Sequence, residues 1–161
     1  MKPVCLSLAL AMLAVACATT SVTEQQIEAV AAAVDYGDSS SETLAVKAWK
    51  ALDKKDYPEV LAYTRKCVDL YGEEGRKMNA ELSAFEPSST AATKWALNDV
   101  GTCLFIMGSA YQDLEMYPEA VEAYRTLVND YNYAQCWDPR GWYWRPAEVA
   151  APRVERYEYR P

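Results

Sequence analysis

Histidine is absent from all 161 residues. That absence removes Ser-His-Asp and Cys-His nucleophilic centres, imidazole-ligated zinc and histidine acid–base chemistry. Glycine is scarce, at six, and none stands in the loop–Lys-Ser arrangement that cradles phosphate. The five cysteines include no C-x-x-C pair, so neither metal nor cofactor is expected. Basic side chains are outnumbered, 16 to 23, for a net charge of −7. A nucleic-acid binder needs a basic face, and that partner class is excluded. What remains is a chain with 51% hydrophobic and 24% charged residues, long enough for one domain with a true core.

The single long apolar run lies at the start. Lys2 supplies a positive charge, and Val4 to Val15 form an apolar stretch too short to span a bilayer as a mature helix. It ends in Ala14-Val15-Ala16-Cys17, whose small residues suit cleavage, so residues 1–16 are expected to be a signal peptide. The cysteine after that site resembles the lipobox of bacterial lipoproteins. The match departs from the family where Ala14 replaces the usual Leu, with Leu13 one step away. The resemblance implies lipidation of Cys17, attachment to a membrane, and a periplasmic or outer-membrane location, towards which Ala18 leans. Plain cleavage or a retained anchor is the alternative. Export would leave Cys67, Cys103 and Cys136 in an oxidising compartment, either as one disulfide with a spare thiol or as core residues.

Residues 17–42 are rich in Ala, Thr, Ser, Gln and Glu and are expected to be the lipidation site and a tether. Ile27, Val30, Ala31 and Val34 fall at helical spacing behind a Ser21-x-x-Glu24 capping box, but the apolar face is narrow and is not assigned to the core. A helical domain is expected over 43–146, followed by a surface tail over 147–161.

Within that domain the chain repeats. Tyr57-Pro58-Glu59 returns as Tyr117-Pro118-Glu119, and the same offset aligns Arg65 with Arg125, Val68 with Val128 and Tyr71 with Tyr131. Each proline suits the first turn of a helix, where its missing N–H has no partner to lose. In the second copy, Leu104, Met107, Gly108, Tyr111, Ala120, Tyr124 and Leu127 follow one another in an order that resembles the tetratricopeptide repeat over 101–131. The first copy, 41–72, is degenerate: Leu44, Ala48, Ala51 and Val60 fit, whereas Lys47, Thr64 and Cys67 do not. The offset also exceeds the family period of about 34 residues. The insert, 73–100, is expected to lengthen the helices, with Met78, Leu82 and Phe85 on one face and a break at Pro87-Ser88-Ser89-Thr90. The expectation is an all-α fold of four or five antiparallel helices.

The resemblance implies a concave peptide-binding face comprising Trp49, Leu52, Asp53, Phe105, Ile106, Ser109, Gln112 and Asp113, unless the insert fills it. Trp137, Trp142 and Trp144 crowd around the turn chemistry of Asp138-Pro139-Arg140-Gly141. They serve either as an aromatic cap over the last hairpin or as a platform for a glycan or peptide. The carboxylate pairs Asp113/Glu115 and Glu119/Glu122 lack any surrounding catalytic motif, which disfavours a glycoside hydrolase. The expected role is a non-catalytic scaffold or adaptor for another envelope protein or peptide segment. Glycan or peptidoglycan binding is the alternative.

Overall fold

A computed structural model describes residues 22–160; the expected signal peptide and Cys17 lie outside the described residues. Six α-helices dominate: α1 (Glu24–Ala33), α2 (Ser41–Asp53), α3 (Tyr57–Ala80), α4 (Trp95–Asp113), α5 (Tyr117–Asp130) and α6 (Pro146–Tyr157). A 3₁₀ turn (Ala91–Lys94) precedes α4, and a small hairpin, β1 (Cys136–Asp138) and β2 (Trp142–Trp144), separates α5 from α6. The all-α class is therefore observed. Helix α4 is the axis, packing against α2, α3, α5 and α6.

The sixty-residue repeat is present in the backbone itself. Helix α2 passes to α3, and α4 to α5, through three-residue turns in which Lys55 and Glu115 each take φ of 59°. Asp56 N–H donates to the Ala51 carbonyl at 3.0 Å, and Met116 N–H donates to that of Tyr111 at 2.9 Å. Pro58 and Pro118 follow at the helix starts. The aligned arginines also act alike, since Arg65 pairs with Glu24 and Arg125 with Glu158, each tying a repeat helix to a flanking segment. The caps differ. The Asp56 side chain accepts from Glu59 N–H, whereas Met116 offers no side-chain acceptor.

Small residues set the spacing of α4 and α5. A β-carbon built on Gly108 would lie 2.4 Å from the ring of Tyr124, which is wholly buried. Ala120, also wholly buried, is the small residue on the facing helix. Insert residues extend α3 to 24 residues. Met78 and Leu82 still pack against the core, and Phe85 meets Tyr133 edge-on at 5.5 Å.

Both flanks carry more structure than their composition suggests. The first helix is capped by Thr23 and Gln26 rather than by Ser21 and Glu24, and its Ile27 lies in the core. Arg65 reaches both Glu24 and the hydroxyl of Tyr111, while Tyr36 packs edge-on to Tyr63. Much of the expected tether is thus docked on α3. At the other end, residues 146–157 form α6, not a surface tail. Ala147, Ala150 and Tyr157 are buried, and Tyr157 stacks on Tyr117 at 5.1 Å. Pro152 sits inside α6 at an exposed position, where its missing N–H removes one intrahelical hydrogen bond.

Between α5 and the hairpin, polar side chains pin the chain. Tyr133 N–H donates to Asn79 Oδ1 at 3.0 Å, and Gln135 N–H donates to Asn98 Oδ1 at 2.8 Å. Asn98 Nδ2 in turn donates to the Ala91 carbonyl at 2.8 Å, so one buried amide holds two crossings of the chain against α4. Cys67, Cys103 and Cys136 are free thiols and all are buried. Burial pushes Cys103 well above the ordinary thiol range and Cys136 up to about 12.

Two outcomes follow. Gly108→Ala should cost about 1–3 kcal/mol, read as a lower urea midpoint, because Tyr124 cannot swing aside without breaking its hydroxyl contacts; an unchanged midpoint would show that α4 and α5 can part freely. In the native protein at mildly alkaline pH, an aromatic disulfide reagent should leave Cys67, Cys103 and Cys136 unmodified and should reach all three in denaturant. Rapid native labelling of any of them would contradict their burial.

Candidate functional site

The face shared by α2 and α4 divides into a closed half and an open half. The closed half holds most of the groove residues expected from the repeat resemblance. Phe105 is 7% exposed, with Trp144 edge-on at 5.0 Å and the Arg153 guanidinium over its ring at 4.7 Å. Ile106 is fully buried and faces no groove. Arg153, carried in by α6, donates to the Tyr124 hydroxyl at 2.7 Å and to Ser109 Oγ at 3.1 Å. It also donates to Gln112 Oε1 at 3.5 Å, which the Tyr124 hydroxyl reaches at 3.3 Å. These side chains satisfy one another. Asp53 and Asp113 are exposed at the helix ends, Asp113 accepting from the Tyr57 hydroxyl at 3.4 Å, and Leu52 packs against the core. Glu115, Glu119 and Glu122 are likewise exposed.

The open half is a cleft of about 430 Å³ between the first turns of α2, the N-terminal half of α4 and the hairpin. Its walls include Trp49, Trp95, Trp137, Tyr143 and Trp144, with Glu42 and Asp99 among them and, among the described residues, no lysine or arginine. The size falls within the about 300–1,000 Å³ usual for ligand sites. Val46, Trp95 and Trp137, three of its lining residues, are each more than 40% exposed. Of the groove residues expected from sequence, only Trp49 lines this cleft, tilted against Phe105 at 6.3 Å.

The hairpin forms one wall because its turn is built for reversal. The Asp138 carbonyl accepts from Gly141 N–H at 2.8 Å, and Gly141 takes φ of 107°. Arg140 closes on the Asp138 carboxylate through Nε at 3.0 Å and Nη2 at 2.9 Å. Cross-strand pairing sets Trp137 opposite Tyr143 and Asp138 opposite Trp142. Strand alternation therefore puts Trp137 and Trp142 on opposite faces, and the three tryptophans do not form one flat platform. Trp142 lies under the Arg140 guanidinium at 4.5 Å, whereas Trp137 meets Tyr143 at 5.1 Å.

Asp99 is the distinctive polar group of the cleft. One carboxylate oxygen accepts from Ser41 Oγ at 2.5 Å, and the other has no hydrogen-bond partner among the described residues. Burial raises its pKa, Glu42 adds to the rise, and the Ser41 hydrogen bond opposes it. The neighbouring polar residues behave differently. Thr102 donates to the Asn98 carbonyl at 2.8 Å, and Gln135 Nε2 donates to the Glu86 carbonyl at 3.1 Å, so their hydrogen bonds are spent on the fold. Sequence reasoning missed Glu42, Trp95, Asp99 and Tyr143. The available signal was Asp99 itself, the one charged residue between Trp95 and Asp113.

A raised carboxyl pKa means that folding favours the protonated form. The stabilisation is full below the unfolded value of about 3.9 and is lost as pH rises through the folded value. Asp99→Asn, which keeps an acceptor for Ser41, should therefore gain stability relative to wild type as pH rises from the unfolded carboxyl range through the raised folded value. Paired urea titrations measure this, and a relative loss at the higher pH would show that the Ser41 bond outweighs burial. Among the described residues there is no group of three metal-ligating side chains and no helix long and apolar enough to cross a membrane. Comparison with protein families, with characterised proteins and with solved structures finds no match to this chain.

Proposed function

We propose that the chain is an exported, tetratricopeptide-type interaction module, held at a bacterial membrane by lipid on Cys17, that acts as a scaffold or adaptor for another envelope protein. The observation that carries the binding role is the aromatic cleft between α2, α4 and the hairpin, which leaves Trp95, Trp137 and Val46 exposed together. Side chains of that size are seldom grouped at a surface without a partner to cover them. The duplicated turns and the Gly108–Tyr124 contact support the repeat-type hairpins. The lipobox-like Ala14-Val15-Ala16-Cys17 supports the anchor.

A second reading, glycan binding by a non-catalytic module, draws on the exposed ring of Trp137 beside Tyr143. It does not draw on a combined Trp137–Trp142–Trp144 surface, because strand alternation separates the first two rings.

A photoreactive residue placed at Val46, on the cleft rim, should give a discrete adduct in cells. One placed at Leu70, exposed on α3 away from the cleft, should give none. Equal adducts at both positions, or none at Val46, would remove the case for the cleft. In the same cells Cys17→Ala should move the protein from the membrane to the soluble fraction; continued membrane attachment would overturn the lipid anchor.

A further inference from the structure

We propose that the cleft receives a lysine or arginine side chain presented by an extended segment of the partner protein. This rests on the cleft being the binding surface, and it adds what the surface selects. Trp49, Trp95 and Trp144 give the cleft aromatic walls, and Glu42 and Asp99 are the only carboxylates lining it among the described residues. Aromatic faces attract a cation and also cover the apolar stem of a long basic side chain.

The charge is one-sided. Among the described residues no lysine or arginine lines the cleft, and of the basic residues next to its walls in sequence Lys47 pairs with Asp35 at 3.5 Å, Lys94 with Glu81 at 2.6 Å and Arg145 with Glu148 at 2.9 Å, while exposed Lys50 has no ion pair there. Asp99 keeps one carboxylate oxygen without a partner among the described residues, beside the oxygen that Ser41 holds in place. An acidic segment or a phosphate entering here would meet two carboxylates and no counter-charge. A neutral apolar segment would fill the walls but would leave Asp99 buried with nothing to neutralise it. Only a cation uses both features. The net charge of −7 further favours approach of a basic segment.

The test titrates the full-length protein in detergent with end-blocked pentapeptides, read through tryptophan fluorescence. The central residue is lysine, arginine, norleucine or glutamate in an alanine background, and a chitin oligosaccharide serves as the glycan probe. The lysine and arginine peptides should bind saturably, the norleucine peptide about tenfold more weakly and the glutamate peptide not at all. Added salt should weaken the basic peptides. Asp99→Asn should remove the preference for basic over norleucine peptides, and Glu42→Gln, a change at an exposed position, should reduce it with the urea midpoint unchanged. Equal binding of norleucine and basic peptides would overturn the choice of a cation while leaving a peptide-binding cleft. Saturation by the oligosaccharide with no peptide binding would overturn both. Unaltered preference in Asp99→Asn, or displacement of the peptides by self-association of the chain, would also overturn the proposal.

Discussion

The arrangement turns on the hydroxyl of Tyr124. Its ring is wholly buried against Gly108, which brings α4 and α5 together, and a buried phenol needs hydrogen-bond partners. Ser109 and Gln112 provide part of that demand from α4, and Arg153 completes it from α6. Satisfying one hydroxyl thus docks a whole helix. The docked helix puts a guanidinium over Phe105 and closes the C-terminal half of the face shared by α2 and α4. The other half escapes closure because α6 starts at Pro146, immediately after the hairpin that walls it. Packing and site are therefore not separate layers of this protein. The same contact that completes the core determines where the surface remains open.

Much of this could be read in advance, and the parts that could not have physical reasons. Repetition is visible in composition because Tyr-Pro-Glu marks a turn and a helix start together, and both copies do fold into the same turn. Lengthening of α3 also follows from the insert, since Met78 lies on it and packs against the core. The flanks were misjudged from local criteria. The first helix has one large core residue, Ile27, and gains its place through Arg65 and Tyr36, whose partners lie far away in sequence. Helix α6 contains two prolines and a dense mixture of charges, which reads as a fraying tail until Arg153 is matched to Tyr124. Long-range pairing of single polar groups has no periodicity, so no window of sequence displays it.

The site shows the same division. Trp49 was legible because it falls on the helix that a repeat would present, and the tryptophan cluster was legible as composition. What the sequence conceals is which rings share a face. Two residues of turn between Trp137 and Trp142 differ from three in the face that each ring takes, and the cross-strand register assigns them opposite sides. The groove carried over by position contained Phe105, Ser109 and Gln112, all of them taken up by Arg153. A resemblance to a repeat transfers helix faces but not the helix that closes them.

Asp99 carries the remaining step. Helix α4 is otherwise the most apolar helix of the described chain, and its sixteen residues from Ala96 to Tyr111 contain no other charge. An acid there raises no helix propensity, cements no ion pair among the described residues and is disfavoured by its burial. Elsewhere the protein treats buried polar groups with care, and every fully buried side-chain nitrogen or oxygen among the described residues has a partner. The second oxygen of Asp99 is not one of those fully buried atoms: it has no partner among the described residues and stays open at the wall of the aromatic cleft. Local choices that conflict with the demands of folding are the ones that point to a ligand. The conflict at Asp99 is resolved by a cation that supplies the missing partner, which is why the acid, rather than the more conspicuous tryptophans, best indicates what the cleft is built to hold.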